Sequence, residues 1–356
     1  MFCCGGFCGA GCRWIFEHGG DFPELLRWEF FSPSESGYFE DWSADAEYTE
    51  DYAIVLEKDP AKEFVILNLA DVQLSDDDYA LGMGEESEAM IRKLVDEQKP
   101  DLITLTGDNA WSTQAYLKLI DCVDAFGIPW APVMGNHDGQ GTHSEFWCAY
   151  QLDNAENCLW KFGPADMGYG NYIINIEENG EVVHTLFMMD THSDTPYTDE
   201  NGAETNSYDH LWENQIEWYE WAVKGIEATE GKQIESTVFM HIPPYEVKQI
   251  IDEYYDEEAD AYTDPYADTA SGLIHDENGS PLFNNHFTDK AIALGSTKNI
   301  FFGHDHTNTA SVLYDGVRLT YTLKLGKGCY YEEDMQGGTV IRVDSDGTVD
   351  FEHIYC

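Results

Sequence analysis

The stretch FVILNLADVQ, residues 64–73, decides the reading of this chain. Phe64 to Leu67 are apolar, Leu69 follows, and only Asn68 interrupts them, as in a strand buried on both faces. The strand delivers a carboxylate, Asp71, and two residues later an amide, Gln73. Apolar runs alternate with amphipathic stretches from there on. In Glu85–Gln98, Met90, Ile91, Leu94 and Val95 fall at helical spacing, and Pro100 ends that helix. DLITLTGDN (101–109) reads as a second strand. A helix over Ser112–Phe126 follows, with Tyr116, Leu119, Ile120 and Val123 on one face. IPWAPVMGNHD (128–138) is a third strand and its loop. This β-α-β-α-β order predicts an α/β fold whose parallel sheet is covered on both faces.

The second half is richer in strands. NYIINIEENGEVVHTLFMMDTHS (171–193) predicts a hairpin turning at Glu178 to Gly180, and a helix is expected near Asn214–Ile226. STVFMHIPP (236–244), KNIFFGHDH (298–306), ASVLYDGVRLTYTLKLG (310–326) and GGTVIRVDSDGTVDFEHI (337–354) supply further strands. Asp315-Gly316 and Asp346-Gly347 mark two more hairpin turns. Residues 1–60 read as an irregular, aromatic and acidic extension, and 61–356 as one folded domain. An acidic, strandless insertion spans about 250–285, and a segment of that length is either disordered or a working loop such as a lid.

The 356 residues carry 68 acidic and 18 basic side chains, a net charge of −50 and a pI near 4.1. Such a surface repels nucleic acid polymers and anionic membranes. It suits salty surroundings, where the Debye length shrinks to roughly 3 Å at 1 M. Positive charge for an anionic substrate must then come from bound metal. No stretch approaches the roughly 20 apolar residues of a transmembrane segment. The N-terminus MFCCGGFCGAGCRW lacks the basic and apolar regions of a secretory signal. Its cysteines (Cys3, Cys4, Cys8 and Cys12) match no zinc spacing, and a mis-called start or the remnant of a processed leader is the favoured reading. Cys148 and Cys158 are candidates to pair if the protein is exported.

Polar residues collect where strands stop, which is where α/β folds place their sites. In order they are Asp71-Val-Gln73, Gly107-Asp108-Asn109, Gly135-Asn136-His137-Asp138, His241, and Gly303-His304-Asp305-His306. Any one of these alone would be a turn or a helix cap. Five in one chain point to a shared site. Carboxylate, amide oxygen and imidazole together suit Mn, Fe or Zn, and the absence of cysteine from these ends argues against a thiolate site. Asp108 is the natural bridging ligand, since a carboxylate has two oxygens for two cations. Two metals about 3.5–4 Å apart would polarise a phosphoryl oxygen and activate a bridging water.

The order D-x-(H/Q)…GD…GNHD…H…GHxH resembles the calcineurin-like metallophosphoesterase superfamily, from about Glu63 to the C-terminus. PDLITLTGDNAW, NQIEWYEW, MHIPPYE and KLGKGCYYEEDMQGGTVIRV are similar to the group related to purple acid phosphatases. The resemblance implies a four-layer α/β/β/α sandwich of two mixed β-sheets, with two divalent metal ions along one rim. The first metal would be held by Asp71, Gln73, Asp108 and His306, and the second by Asp108, Asn136, His241 and His304. His137 would protonate the leaving oxygen, with Asp138 orienting it, after attack by a metal-bridging hydroxide. Most of the superfamily has histidine where this chain has Gln73, a harder donor that favours Mn²⁺ or Mg²⁺ over Zn²⁺. The tyrosine that colours purple acid phosphatases is replaced in Gly107-Asp108-Asn109-Ala110-Trp111, so a colourless protein is expected.

Lesser candidates for substrate contact are His143, Lys324 and Lys327, with Tyr330 and Tyr331 beside a Gly-rich turn. Asp190 and His192 end another strand at the same rim and are expected to support the site. Asp344 to Asp350 resembles half of a calcium loop but reads better as a hairpin turn. The expected function is a dinuclear phosphohydrolase acting on small phosphate esters. The alternatives are a nucleotide diphosphatase or phosphodiesterase similar to the Mn-dependent ADP-ribose/CDP-alcohol diphosphatases, and an inactive metal-binding module. The acidic surface and phosphatase-like core lean towards an exported bacterial protein, and the missing signal leans against it.

Overall fold

The computed structural model describes residues 34–356. The N-terminal cysteines lie outside that range. The chain divides into two units, Met1–Phe39 and Glu40–Cys356. Within the first, Glu35–Gly37 forms one 3₁₀ turn. The second holds both large sheets and the site.

The run at 64–73 becomes strand β2 (Phe64–Leu69), flanked by β1 (Ala53–Glu57) and β3 (Leu102–Thr106) in sequence. β2 pairs in parallel with β3, and β3 with β4 (Trp130–Val133). The acids after Gln73 serve as a helix start. Ser75 caps α1 (Asp76–Ala80) by accepting from Asp78 N at 3.2 Å, while the Asp78 carboxylate accepts from Ser75 N at 2.7 Å. Asp76 to Asp78 also meet the positive end of that helix. α2 (Met83–Gln98) buries Ile91, Leu94 and Val95, and it stops at Lys99 in a left-handed conformation just before Pro100. α3 (Thr113–Asp124) buries Tyr116, Leu119 and Val123, and α4 (Glu145–Asp153) follows. Antiparallel β15 (Gly337–Val343) and β16 (Val349–Tyr355) complete a five-stranded sheet of order β16-β15-β2-β3-β4.

The other sheet has seven strands in the order β1-β5-β6-β9-β12-β14-β13. β5 (Tyr172–Glu178) and β6 (Glu181–Met188) form the expected hairpin. β9 (Ser236–Phe239) lies parallel between β6 and β12 (Thr297–Phe302). β13 (Ser311–Tyr314) and β14 (Val317–Tyr321) turn at Asp315-Gly316. Helices α5 (Glu213–Glu230), α6 (Tyr245–Tyr254) and α7 (Phe287–Leu294) bury Trp218, Tyr219, Val247, Ile250 and Phe287 in one cluster with Val238, Ile300 and Phe302. The alternate residues face the other way. Phe239 and Phe301 stack at 5.7 Å between centroids, and Phe301 meets Phe351 of β16 at 5.4 Å. That is sheet packed on sheet with helices outside, the four-layer α/β/β/α arrangement of two mixed sheets.

Two boundaries differ from the sequence reading. β1 pairs with β5 from Ala53 to Glu57, so the sandwich begins before residue 60. The 250–285 segment is not strandless either. It ends α6, forms a small hairpin of β10 (Tyr255–Asp256) and β11 (Ala261–Tyr262), and bridges Ser271 to Ser311 and Ile274 to Asn308. Short polar strands pass unnoticed in sequence, because long-range pairing makes them and local pattern does not. A second polar hairpin, β7 (Asp194–Thr198) with β8 (Glu204–Tyr208), was equally hidden. Cys148 and Cys158 are free thiols. Cys148 is buried and its Sγ donates to the Asp138 carbonyl at 3.3 Å, so they do not pair.

Candidate metal centre

The five polar strand ends meet at one place, because each follows the carboxyl end of a parallel strand of one sheet or the other. Asp71 follows β2, Asp108 follows β3, Asn136 follows β4, His241 follows β9 and His304 follows β12. Asp71, Gln73, Asp108 and His304 sit in the left-handed region at φ 49°, 44°, 48° and 79°. Each such non-glycine residue costs on the order of 1 kcal/mol or more, and clusters of them mark functional sites. The ladder of bonds between strand ends holds them there: Asp71 N donates to Gly107 O at 3.2 Å, Gln73 N to Asp108 O at 2.9 Å, and Gly303 N to His241 O at 3.2 Å. Glycines let the loops close this tightly. A Cβ on Gly135 would lie 2.2 Å from both Asp108 N and Asp108 Oδ1. Gly135→Ala is therefore expected to destabilise the fold by about 1–3 kcal/mol and to weaken metal binding together with it, as thermal melts with and without Mn²⁺ would show.

Asp71, Asp108 and His241 are buried, and their ligand atoms lie within 4.8 Å of one another. The other predicted ligands surround them. His304 N donates to both Asp71 carboxylate oxygens at 3.1 and 3.2 Å, and His306 Nε2 lies 3.7 Å from Asp71 Oδ1. His241 Nδ1 lies 2.8 Å from the Thr106 carbonyl, so that nitrogen carries the hydrogen. Its Nε2 then turns a lone pair towards Asn136 Oδ1 at 2.9 Å, Asp108 Oδ1 at 3.3 Å and His304 Nδ1 at 3.2 Å. His306 Nδ1 is likewise engaged by the Tyr330 carbonyl at 2.9 Å, which leaves Nε2 facing inward. Gln73 Nε2 donates to Asp108 Oδ2 at 2.8 Å, while its buried Oε1 has no hydrogen-bond partner. Acceptors converging on acceptors, with an orphaned amide oxygen beside them, fit divalent cations.

The electrostatics agree. Burial first, then the Asp108 charge, push Asp71 up to about 6, against the pull of His241 and Lys324. Burial opposes charge on His241, but Asp108, Asp71 and the Thr106 carbonyl outweigh it and leave that imidazole raised. A metal must therefore displace the Asp71 proton below pH about 6 and the His241 proton at higher pH still. Mn²⁺ affinity is expected to fall about tenfold per pH unit for each displaced proton as pH drops below the point where that group takes it up. Calorimetry in buffers of different ionisation enthalpy would record the released protons, and an affinity flat between pH 5 and 7 would contradict the account.

His137 and Asp138 do not work as a pair. The His137 ring stacks on Trp111 at 4.1 Å between centroids, its Nδ1 meets Gln140 Oε1 at 2.8 Å, and its Nε2 lies 4.0 Å from Asp108 Oδ2. Gln140 Nε2 donates to the Asn136 carbonyl, which fixes Oε1 towards the ring. The Asp138 carboxylate instead accepts from Asn109 N, Asn109 Nδ2, Ala110 N and Gly135 N at 2.8–3.2 Å, clamping two loops together. Adjacent residues point apart here, and it is Gln140, not the Asp138 that the resemblance implied, that meets the ring.

The lysines also differ from expectation. Lys324 is buried, its Nζ donates to the Asp71 carbonyl at 2.8 Å, and burial pulls its ammonium down to about 8. It backs the centre and does not face substrate. Lys327 pairs with Glu86 at 2.6 Å. His143 stacks on Trp147 at 4.9 Å, away from the cleft. Asp190 and His192, expected to support the site, direct their bonds to Tyr169, to their own loop and to Gln215: Asp190 accepts from Tyr169 N and His192 N at 2.8 Å, and His192 Nε2 meets Gln215 Oε1 at 2.9 Å. From the same loop Ser193 Oγ donates to the Asn136 carbonyl, and Thr191 Oγ1 accepts from Ile242 N.

Above the centre opens a cleft of about 280 Å³, lined by Gln73, Asp108, His137, His304 and His306 and by the 276–279 segment. Residues 64–308 match the Calcineurin-like phosphoesterase family, well over half of the chain. The chain belongs to the calcineurin-like phosphoesterase family. Among the relatives of this calcineurin-like phosphoesterase are a probable inactive purple acid phosphatase 14 of Arabidopsis thaliana, 26% identical over 259 residues, and the phosphatase DCR2 of Saccharomyces cerevisiae, 26% identical over 272 residues. These alignments cover 65% and 69% of this chain but only 60% and 44% of the relatives' own lengths. Among solved structures, a dimetal phosphatase of Danio rerio superposes with a TM-score of 0.49 and 13% identity, over 83% of this chain and 99% of that one. No described helix is long and apolar enough to cross a membrane.

Proposed function

We propose that this calcineurin-like phosphoesterase is a dinuclear metal-dependent phosphohydrolase of small phosphate esters. One observation carries the reading: lone pairs of His241 Nε2, Asn136 Oδ1, Asp108 Oδ1 and the orphaned Gln73 Oε1 converge in a buried site that opens into a cleft. Asp71, Gln73, Asp108 and His306 would hold one cation, and Asp108, Asn136, His241 and His304 the other. Two such cations supply Lewis acidity towards a phosphoryl oxygen and a water made nucleophilic at neutral pH. The chain's own residues do the rest. Gln73 and the His137 backbone N–H orient the Asp108 carboxylate from either side, at 2.8 and 2.9 Å. His137 lines the cleft, held between Trp111 and Gln140; its Nδ1–H is held by Gln140 Oε1, and in the doubly protonated, imidazolium form it gives its Nε2 proton to the departing alkoxide.

Three relatives carry inactivity in their names. In this chain a metal site kept only for stability has no use for an imidazole held at the cleft mouth, and His137 therefore favours turnover. The test is hydrolysis of a phosphate monoester, a diester and a nucleotide diphosphate with Mn²⁺, Mg²⁺, Zn²⁺ or Fe²⁺ added. Monoester turnover dominant with Mn²⁺ is expected. Preference for the diphosphate would favour the nucleotide branch, and no turnover with any cation would overturn the catalytic reading.

A further inference from the structure

The cleft has walls of two kinds. Trp111, Tyr208 and Tyr330 each set a ring against a site histidine, at centroid distances of 4.1, 4.2 and 4.1 Å from His137, His304 and His306. All three line the cleft, and Tyr208 and Tyr330 keep 41% and 48% of their surface exposed. The 276–279 segment adds two acids to the rim, Asp276 and Glu277, beside Asn278 and Gly279. That rim is tied to the loop carrying the histidines, since Asp276 N donates to Asn308 Oδ1 at 2.9 Å and Gly279 N to the Asp305 carboxylate at 3.1 Å. The Tyr330 hydroxyl donates to the Asp276 carboxylate. No lysine or arginine stands among the described lining residues, because Lys324 and Lys327 are engaged elsewhere.

We propose that this cleft selects phosphate monoesters whose alcohol carries an ammonium group, with the phosphate towards the metal centre and the cation between the aromatic rings and the acidic rim. The inference rests on the phosphohydrolase reading and names its substrate class. A cation gains from ring faces and from both carboxylates, whereas a neutral alcohol gains from the rings alone. A second phosphate would meet acid with no cation to pair it. The cleft's 280 Å³ also falls at the small end of ligand pockets, about 300–1,000 Å³, which suits an alcohol of a few carbons better than a nucleoside. In the reaction, water oxygen bonds to phosphorus, the phosphorus–oxygen bond to the alcohol breaks, and the alkoxide takes a proton. The products are inorganic phosphate and the amino alcohol.

The test compares phosphocholine with 3,3-dimethylbutyl phosphate, its neutral isostere, on the Mn²⁺-loaded chain. The charged ester is expected to show kcat/KM at least about tenfold higher, as a partly desolvated cation–aromatic site would give. Glu277→Gln alone, and Asp276→Asn with Glu277→Gln, should narrow that ratio to under about threefold. Calorimetric Kd values for both esters read selection separately from turnover. Equal or better handling of the neutral ester, or preference for a nucleoside monophosphate, overturns the inference. Selective binding with no hydrolysis of any ester upholds it and overturns the phosphohydrolase reading, while hydrolysis without selectivity does the reverse.

Discussion

Asp108→Ala is expected to abolish both metal retention and hydrolysis, lowering kcat/KM on the order of 10³-fold or more. The Asp108 carboxylate ties together Gln73, the GNHD loop and His241. Its Oδ2 accepts from Gln73 Nε2, its Oδ1 accepts from His137 N, and the same Oδ1 lies 3.3 Å from His241 Nε2. Removing it frees the Gln73 amide, unties the GNHD loop, and takes away the only carboxylate shared by both proposed cations. The fold should survive, because the surrounding strands pair through their backbones and bury large apolar side chains. Metal analysis beside circular dichroism checks this: an intact spectrum with metal lost is the expected pair. Asp108→Ala retaining two metals and near-wild-type turnover would refute the bridging role.

His137→Ala is expected to act differently. Its backbone N–H to Asp108 is kept, so metal content should stay unchanged. What disappears is the proton donor, and kcat on an alkyl phosphate monoester should fall about 10²–10⁴-fold. A p-nitrophenyl ester, whose leaving group departs without a proton, should lose far less. That contrast separates proton donation from damage to the site. Equal losses on both esters would assign His137 to positioning.

Much of this was legible in the sequence. Strands β2, β3, β4, β9 and β12 announce themselves as apolar runs because they are buried on both faces, and polar residues stand out where such runs stop. The convergence of Asp71, Asp108 and His241 follows from parallel topology. Side-chain direction does not. Lys324 sits in a Gly-rich turn and reads as a lysine able to face substrate, yet the bridge between Ala70 and Lys324 turns it inward beneath Asp71. Asp138 lies next to His137 in the chain but faces four N–H donors on other segments, while Gln140, three residues on, reaches the ring. Of the aromatic walls Tyr330 was a candidate from sequence, but Tyr208 was hidden for a similar reason: it ends a polar hairpin that only tertiary contact defines. Sequence locates the donors, and packing decides what each one touches.

The account stands most directly on the metals themselves. Crystals of the chain loaded with Mn²⁺ and measured at the manganese absorption edge are expected to show two anomalous peaks about 3.5–4 Å apart, one on either side of the Asp108 carboxylate. A single peak, no peak, or peaks away from Asp108 would contradict it.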